Sequence, residues 1–243
     1  KTDSVGNEIW SKNFDGNEYT ISFPEYLDAI EKVPHSLDFA TQVPHSAVRG
    51  FVMGQSSSEQ EQPTPEQMQQ MKALVKEGLE AGALGFTTSR TTLHKTAEGQ
   101  FVAGTFAEEE ELYVIGEALK ETGKGVFECA SEHVMLEGDI RWMEDLSMKM
   151  NRPFLFNLSQ TDFAPEMWSN VLEQLEGAGE RGAPLYAQVA GRAIGIVMSW
   201  RLTAHPFVLH PTFERISKLP WPEQLEALRR DDVKQALLTE APN

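Results

Sequence analysis

Apolar residues recur at intervals of three and four through residues 65–82 and then run together, and that change of period is the clearest signal in the chain. Met68, Met71, Leu74, Val75, Leu79 and Gly82 form one stripe, whereas Lys72, Lys76, Glu77 and Glu80 fall mostly on the other faces. This is the spacing of an amphipathic helix. Thr64 and Gln67 supply a capping box around Pro65, which suits the first helical position. Gly82 fits the left-handed turn that ends a helix, and the short apolar run Ala83-Leu84-Gly85-Phe86-Thr87-Thr88 reads as a buried strand. Ser89 and Arg90 stand at its C-terminal end, where parallel α/β sheets carry their ligands.

The same alternation extends in both directions. Residues 1–21 are polar and aperiodic, an irregular lead-in. Ser22 and Glu25 form a capping box around Pro24, and Phe23, Tyr26, Leu27 and Ile30 give the helix that follows its apolar face. A strand is expected within Leu37 to Val43, ending in Pro44-His45-Ser46. Residues 47–54 read as extended or loosely turned, and Gln55 to Gln62 as a solvated connector. Thr91 to Gly104 is a long loop on the functional side, with a turn at Glu98-Gly99.

Thr105 and Glu108 read as a third capping box, and the acidic run Glu108 to Glu111 complements the positive start of a helix. Further strands are expected at Gly125 to Ala130, Pro153 to Leu158 and Pro184 to Ala190. Helices are expected around 140–150 and 166–178, and a single terminal helix over 222–238. Strand and helix alternate about five times without hairpin signals, which argues for parallel strands joined by right-handed crossovers. An open doubly wound sheet and a (β/α) barrel both satisfy that pattern.

Composition narrows the function. The formal charge of −16 repels a phosphate backbone and an anionic membrane surface, so neither nucleic acid nor membrane is an expected partner. Cys129 is the single cysteine, which excludes an internal disulfide and a cysteine-rich zinc site and fits a reducing cytoplasm. It lies mid-strand and reads as core. HxH, HExxH, phosphate-loop, GxSxG and CxxC patterns do not occur.

The candidate chemistry is therefore a set of strand-end residues: His45, Ser89, Arg90, Glu132 with His133, Asn157 with Gln160, and Gln188 with Arg192. These converge if the strands are parallel neighbours. Glu132-His133 has the composition of an acid–base pair, and helix-entry capping by Glu132 accounts for it equally. Arg90 and Arg192 are suited to hold a substrate carboxylate in bidentate fashion, or to neutralise an acidic rim.

Three segments carry a family resemblance: VPHSAVRGFVMG (Val43 to Gly54), TPEQMQQMKALVKEGLEAGALGFTTSR (Thr64 to Arg90) and GTFAEEEEL (Gly104 to Leu112). They resemble the N-acyl-D-amino-acid deacylase branch of the amidohydrolase superfamily. The resemblance implies an α/β fold, a partial (β/α)8 TIM-type barrel of about five parallel βα units, comprising roughly its third to seventh strands. It implies a barrel part over 22–192 and a C-terminal loop and helical segment over 193–243 packing on it. It also implies hydrolysis of an amide C–N bond, such as that of an N-acyl amino acid, by metal-activated water. A divalent metal, zinc foremost, is implied for the complete protein and none for this segment, which alone would be inactive.

In those deacylases the fifth and sixth strands each end in a ligand histidine, and aligning GVFECASE and PFLFNLSQ by their strands sets Ala130 and Leu158 at those places. Neither binds metal, and His133 would need a change of register to substitute. Gln188 stands where the family has a substrate-binding tyrosine. These strand-end residues, His45, Ser89, Arg90, Glu132, His133, Asn157, Gln160, Gln188 and Arg192, are accordingly expected to line a pocket for a small amide substrate. The alternative is a metal-free barrel relative that serves as a binding or scaffold domain. The open edges of a partial barrel are expected to pair with another copy of the chain or to be shielded by its terminal segments.

Overall fold

The computed structural model describes residues 11–12, 19–20, 22–59, 61–96, 99–132, 136–161, 164–193, 195, 197–202 and 205–242. They divide into two units, 1–192 and 193–243.

The lead-in holds two short strands, β1 (Ser11–Lys12) and β2 (Tyr19–Thr20), paired antiparallel where no regular structure was expected. Helix α1 (Phe23–Glu31) begins with the expected capping box: Ser22 Oγ accepts the Glu25 N–H, and the Glu25 carboxylate takes the Ser22 N–H at 2.7 Å. The strand expected within Leu37 to Val43 shrinks to β3 (Val43–Pro44). The segment 47–54 is not extended: α2 (His45–Met53) starts directly after Pro44 and buries Ala47, Val48, Arg49 and Met53. Its start has no side-chain cap, so the local signal that marks α1 at Ser22 and the helix after Thr64 is missing. Nor is 55–62 a plain connector. It opens with the one-turn helix α3 (Gln55–Ser58), Ser57 is buried, and the carbonyls of Ser57 and Glu61 accept from the Arg49 guanidinium.

Helix α4 (Pro65–Ala81) carries the reciprocal Thr64–Gln67 box and ends at Gly82, whose φ of 117° is left-handed. It buries Met68, Met71, Val75 and Leu79 and feeds β4 (Gly85–Ser89). Helix α5 (Glu109–Thr122) follows the long loop. It begins later than the Thr105–Glu108 pattern predicts, with Glu108 at the cap and no side-chain bond closing it. Thr105 Oγ1 instead donates to the Val102 carbonyl inside the loop, an internal bond that removes it from capping. Then come β5 (Val126–Ala130), a 3-10 turn at Leu136–Gly138, α6 (Ile140–Met150), β6 (Phe154–Asn157), α7 (Met167–Glu180) and β7 (Leu185–Gln188).

The five strands β3 to β7 are all parallel and pair strictly in chain order. That order decides between the two architectures the sequence permits. A doubly wound sheet reverses direction at a switch point, whereas sequential parallel order with right-handed crossovers keeps every helix on one face, as in a (β/α) barrel wall. Val43, Phe86, Phe127, Phe154 and Leu185 form one register row and are buried against the helices. The rings of Phe86 and Phe127 meet edge-on at 5.0 Å, those of Phe127 and Phe154 stack at 4.8 Å, and Trp142 of α6 caps Phe154 edge-on. Val75, Leu79, Ile115, Leu119, Met143 and Leu146 complete this core from the helices.

Residues of opposite parity, Thr87, Ser89, Glu128, Ala130, Leu155 and Asn157, occupy the other face and are partly exposed. Close approach of β4 and β5 requires Gly85: a Cβ there would lie 2.0 Å from the Val126 carbonyl oxygen. On the outside, Lys72 and Lys76 of α4 bridge to Glu117 and Glu121 of α5, a solvated ladder that contributes little stability.

The unit 193–243 has its own small core of Phe213, Ile216, Val233 and Leu237, packed with Trp200 and Phe207. Its helices are α8 (Pro211–Ile216), α9 (Trp221–Arg229) and α10 (Asp231–Thr239). The single terminal helix expected over 222–238 is therefore broken: Arg230 adopts extended backbone with ψ of 138°, ending α9 and capping α10. No helix among the described residues is long and apolar enough to cross a membrane.

Candidate functional site at the carboxyl ends of the sheet

The strands deliver a row of side chains to the carboxyl end of the open face. Ser89 pairs in register with Ala130, and Asn157 with Gln188. One step beyond the Cys129–Phe156 pair, Asn157 stands beside Ala130, so Ser89, Ala130, Asn157 and Gln188 follow one another across β4, β5, β6 and β7. Asn157 Oδ1 accepts the Ser131 N–H at 2.8 Å and the Ser131 hydroxyl at 3.3 Å, which fixes the plane of its amide. One layer below lie Thr87, Glu128, Leu155 and Tyr186. There the Gln42 side-chain amide donates to the Glu128 carboxylate across β4.

The loop after β4 is tied to the ends of two strands. Lys95 and Phe101 make an antiparallel bridge, and His94 Nδ1 sits 2.7 Å from Ser89 Oγ, tying the loop to the strand end. Glu132 accepts from the Thr92 N–H at 3.0 Å and the Thr92 hydroxyl at 2.9 Å, tying the same loop to the end of β5. These two bonds give Glu132 a part in anchoring the start of the loop.

The remaining candidates divide. Arg90 has the parity of the helix side: its guanidinium donates to the Ala107 carbonyl at 2.7 Å and lies 5.3 Å from the Trp142 ring centre. Gln160, Gln188 and Arg192 are exposed. His133 lies outside the described residues. His45 is not brought to the row at all, because it begins α2 and is enclosed on the helix side at 1% exposure. Leu158 likewise is not the strand-end residue of the open face. It is buried in the core, and the face belongs to Asn157, since a shift of one residue along a strand reverses the side.

Around His45 sequence reasoning missed a buried polar cluster. His45 Nδ1 meets Thr88 Oγ1 at 2.8 Å, and Nε2 meets Glu111 Oε1 at 2.8 Å. The carboxylate can only accept, so Nε2 carries the proton. Arg49 Nε donates to the same Glu111 oxygen at 3.0 Å, and all three side chains are buried. Burial pushes the Glu111 carboxyl up, but its bonds to His45 and Arg49 and the charge beside it outweigh that and hold it below the ordinary carboxylate range. Gly104, with φ of 90°, packs on the imidazole, where a Cβ would lie 2.7 Å from Nδ1. The cluster therefore fastens α2, β4, α5 and the β4–α5 loop at one point. Its only sequence signal was a histidine next to a proline turn and an undivided run of four glutamates.

A family model described as "Amidohydrolase family" matches residues 8–238. The chain belongs to the Amidohydrolase family. A search of curated proteins finds no match. Among solved structures, D-aminoacylase superposes with a TM-score of 0.57 at 20% identity, over 69% of this chain and 33% of that one. N-acyl-D-glutamate deacylase from Bordetella bronchiseptica superposes with a TM-score of 0.56 at 18% identity, over 69% of this chain and 34% of that one. The D-aminoacylase is described with a binuclear metal centre, and the deacylase with zinc and a phosphonate mimic of the tetrahedral intermediate. The amidohydrolase chain described here thus spans about a third of the length of these structural relatives and shares their barrel fold. Among its described residues no group of three or more His, Cys, Asp or Glu side chains is placed to hold a metal ion.

Proposed function

We propose that this chain forms part of the wall and mouth of an amidohydrolase barrel whose complete protein hydrolyses an amide C–N bond, with N-acyl amino acids as the substrate class. The observation that carries this reading is the family match over residues 8–238, supported by the deacylase fold of the sheet. A divalent metal, zinc foremost, is proposed for the complete protein by analogy with those relatives. Among the described residues, the side chains at the ends of β4 to β7 form no group suited to such an ion, and no catalytic step is assigned to it through them. Their proposed role is to bind and orient a small amide: Ser89, Asn157 and Gln188 offer neutral hydrogen bonds, and the loop anchored by Glu132 and His94 stands at the ends of β4 and β5.

Assay of the complete protein with zinc against N-acyl-D-amino acids and other amides tests the reading, and absence of metal-dependent turnover removes it. Residues 1–243 alone are proposed to be inactive, and robust hydrolysis by them would remove that part. A second reading, a metal-free binding or scaffold barrel, is favoured by Ala130 and Asn157 at the strand ends. Tight stoichiometric metal in the purified complete protein counts against it. The terminal strand β7, with exposed Tyr186 and the exposed Val189 beyond it, is the proposed contact for a second copy, and a sedimentation result of a single monomeric species counts against that.

A further inference from the structure

The row Ser89, Ala130, Asn157, Gln188 presents a hydroxyl, a methyl and two amides, none of them the imidazole, thiolate or carboxylate that zinc selects. Among the described residues, the nearby donors of the right type are each buried away from the row or already hydrogen-bonded. Cys129 faces the helices, and burial pushes its thiol up to about 12. Both ring nitrogens of His45 are engaged, by Thr88 and Glu111, on the far side of the sheet. Glu128 lies a layer below the row and takes the Gln42 amide. Glu132 accepts twice from Thr92, and His94 Nδ1 is directed at Ser89. Asn157 has the right place but the wrong chemistry, and its oxygen is turned to Ser131.

We infer that the half of the barrel mouth built by β4 to β7 is a metal-free shelf of neutral hydrogen-bonding groups, and that any divalent ion in the complete protein is held wholly by residues outside it. The inference rests on the amidohydrolase reading for its interest, but its test does not require turnover. The purified 243-residue chain is stripped with chelator and titrated with Co2+, followed by visible absorption, and with Zn2+, followed by calorimetry. The expected result is no stoichiometric uptake and no cobalt ligand-field bands. Uptake of one equivalent of either ion, through His133 or any other residue, overturns the inference.

A second arm tests the face assignment itself. The double variant Ala130→His, Asn157→His sets two imidazoles side by side on adjacent parallel strands, and it is expected to gain one equivalent of Ni2+ that the parent chain does not bind. Lack of that gain in a variant whose circular dichroism matches the parent overturns the geometry on which the inference stands. Failure of amide hydrolysis in the complete protein, by contrast, removes the proposed function and leaves both metal titrations as they are.

Discussion

His45 Nε2 lies 2.8 Å from Glu111 Oε1, joining side chains 66 positions apart that are each 1% exposed. Arg49 approaches the same carboxylate oxygen, and Glu111 Oε2 is buried with no hydrogen-bond partner among the described residues. Removing Glu111 strands both Arg49 and His45. Glu111→Ala is expected to cost about 3–5 kcal/mol, the range for breaking a buried pair from one side. Shift of the urea midpoint at unchanged slope measures it, and a loss no larger than that of an exposed ion pair would show the cluster to be energetically idle.

The same residue sets an acid limit. Its folded pKa lies below the ordinary carboxylate value of 4.5, so its contribution is full above that value and is lost as pH falls toward the folded pKa. Thermal midpoints recorded from about pH 6 down to about pH 3 should fall more steeply for the parent chain than for Glu111→Gln, which has no carboxyl to titrate there. Parallel curves would assign the acid sensitivity to other groups.

Gly104→Ala meets two obstacles at once, a φ of 90° and the His45 ring 2.7 Å from the new Cβ. A cost of about 1–3 kcal/mol is expected. The readout specific to the anchor is faster limited proteolysis within residues 91–108 under conditions where the parent loop resists.

Cys129 should be silent in the folded chain. With its thiol pushed up to about 12 and 1% exposed, it is expected to resist a disulfide reagent at about pH 8 and to react only as the chain unfolds. Rapid labelling under native conditions would contradict its place between sheet and helices.

In the C-terminal unit His205 packs edge-on against Phe213, its Nδ1 accepts the Phe207 N–H at 3.2 Å, and its buried Nε2 has no partner among the described residues. Burial pushes its pKa below 6.5, so the neutral ring's contribution is full above that value and fades as pH falls toward the lowered pKa. A proton-NMR titration of this imidazole is expected to show a midpoint below 6.5, with His205→Phe flattening the acid side of the unit's stability curve.

How far the sequence spoke depended on the range of the signal. The Ser22–Glu25 and Thr64–Gln67 boxes were legible because both partners lie within one turn, and the structure shows each reciprocal bond. Helix α2 was not legible, because Pro44 at its cap forms no side-chain bond and its stability comes from burying Val48 and Arg49 against distant elements. The run of four glutamates could not reveal that Glu111 turns inward while its neighbours stay exposed, since only the meeting of α2 and α5 selects it. At the candidate site, strand assignment alone left the facing residue of β6 open to a slip of one, and pairing in register settled it on Asn157 in place of Leu158. Arg90 and His45 lay at the right ends of the right strands but on the helix side of the sheet.

Strand order has a further consequence, for how the molecule is put together. Each strand bonds only to those next to it in the chain, and α4 touches α5, α5 touches α6 and α6 touches α7. Every strand interface thus joins consecutive βα units, so the chain enclosed between partners is a single unit and the entropy spent on closing it stays lower than in a sheet whose strands pair out of chain order.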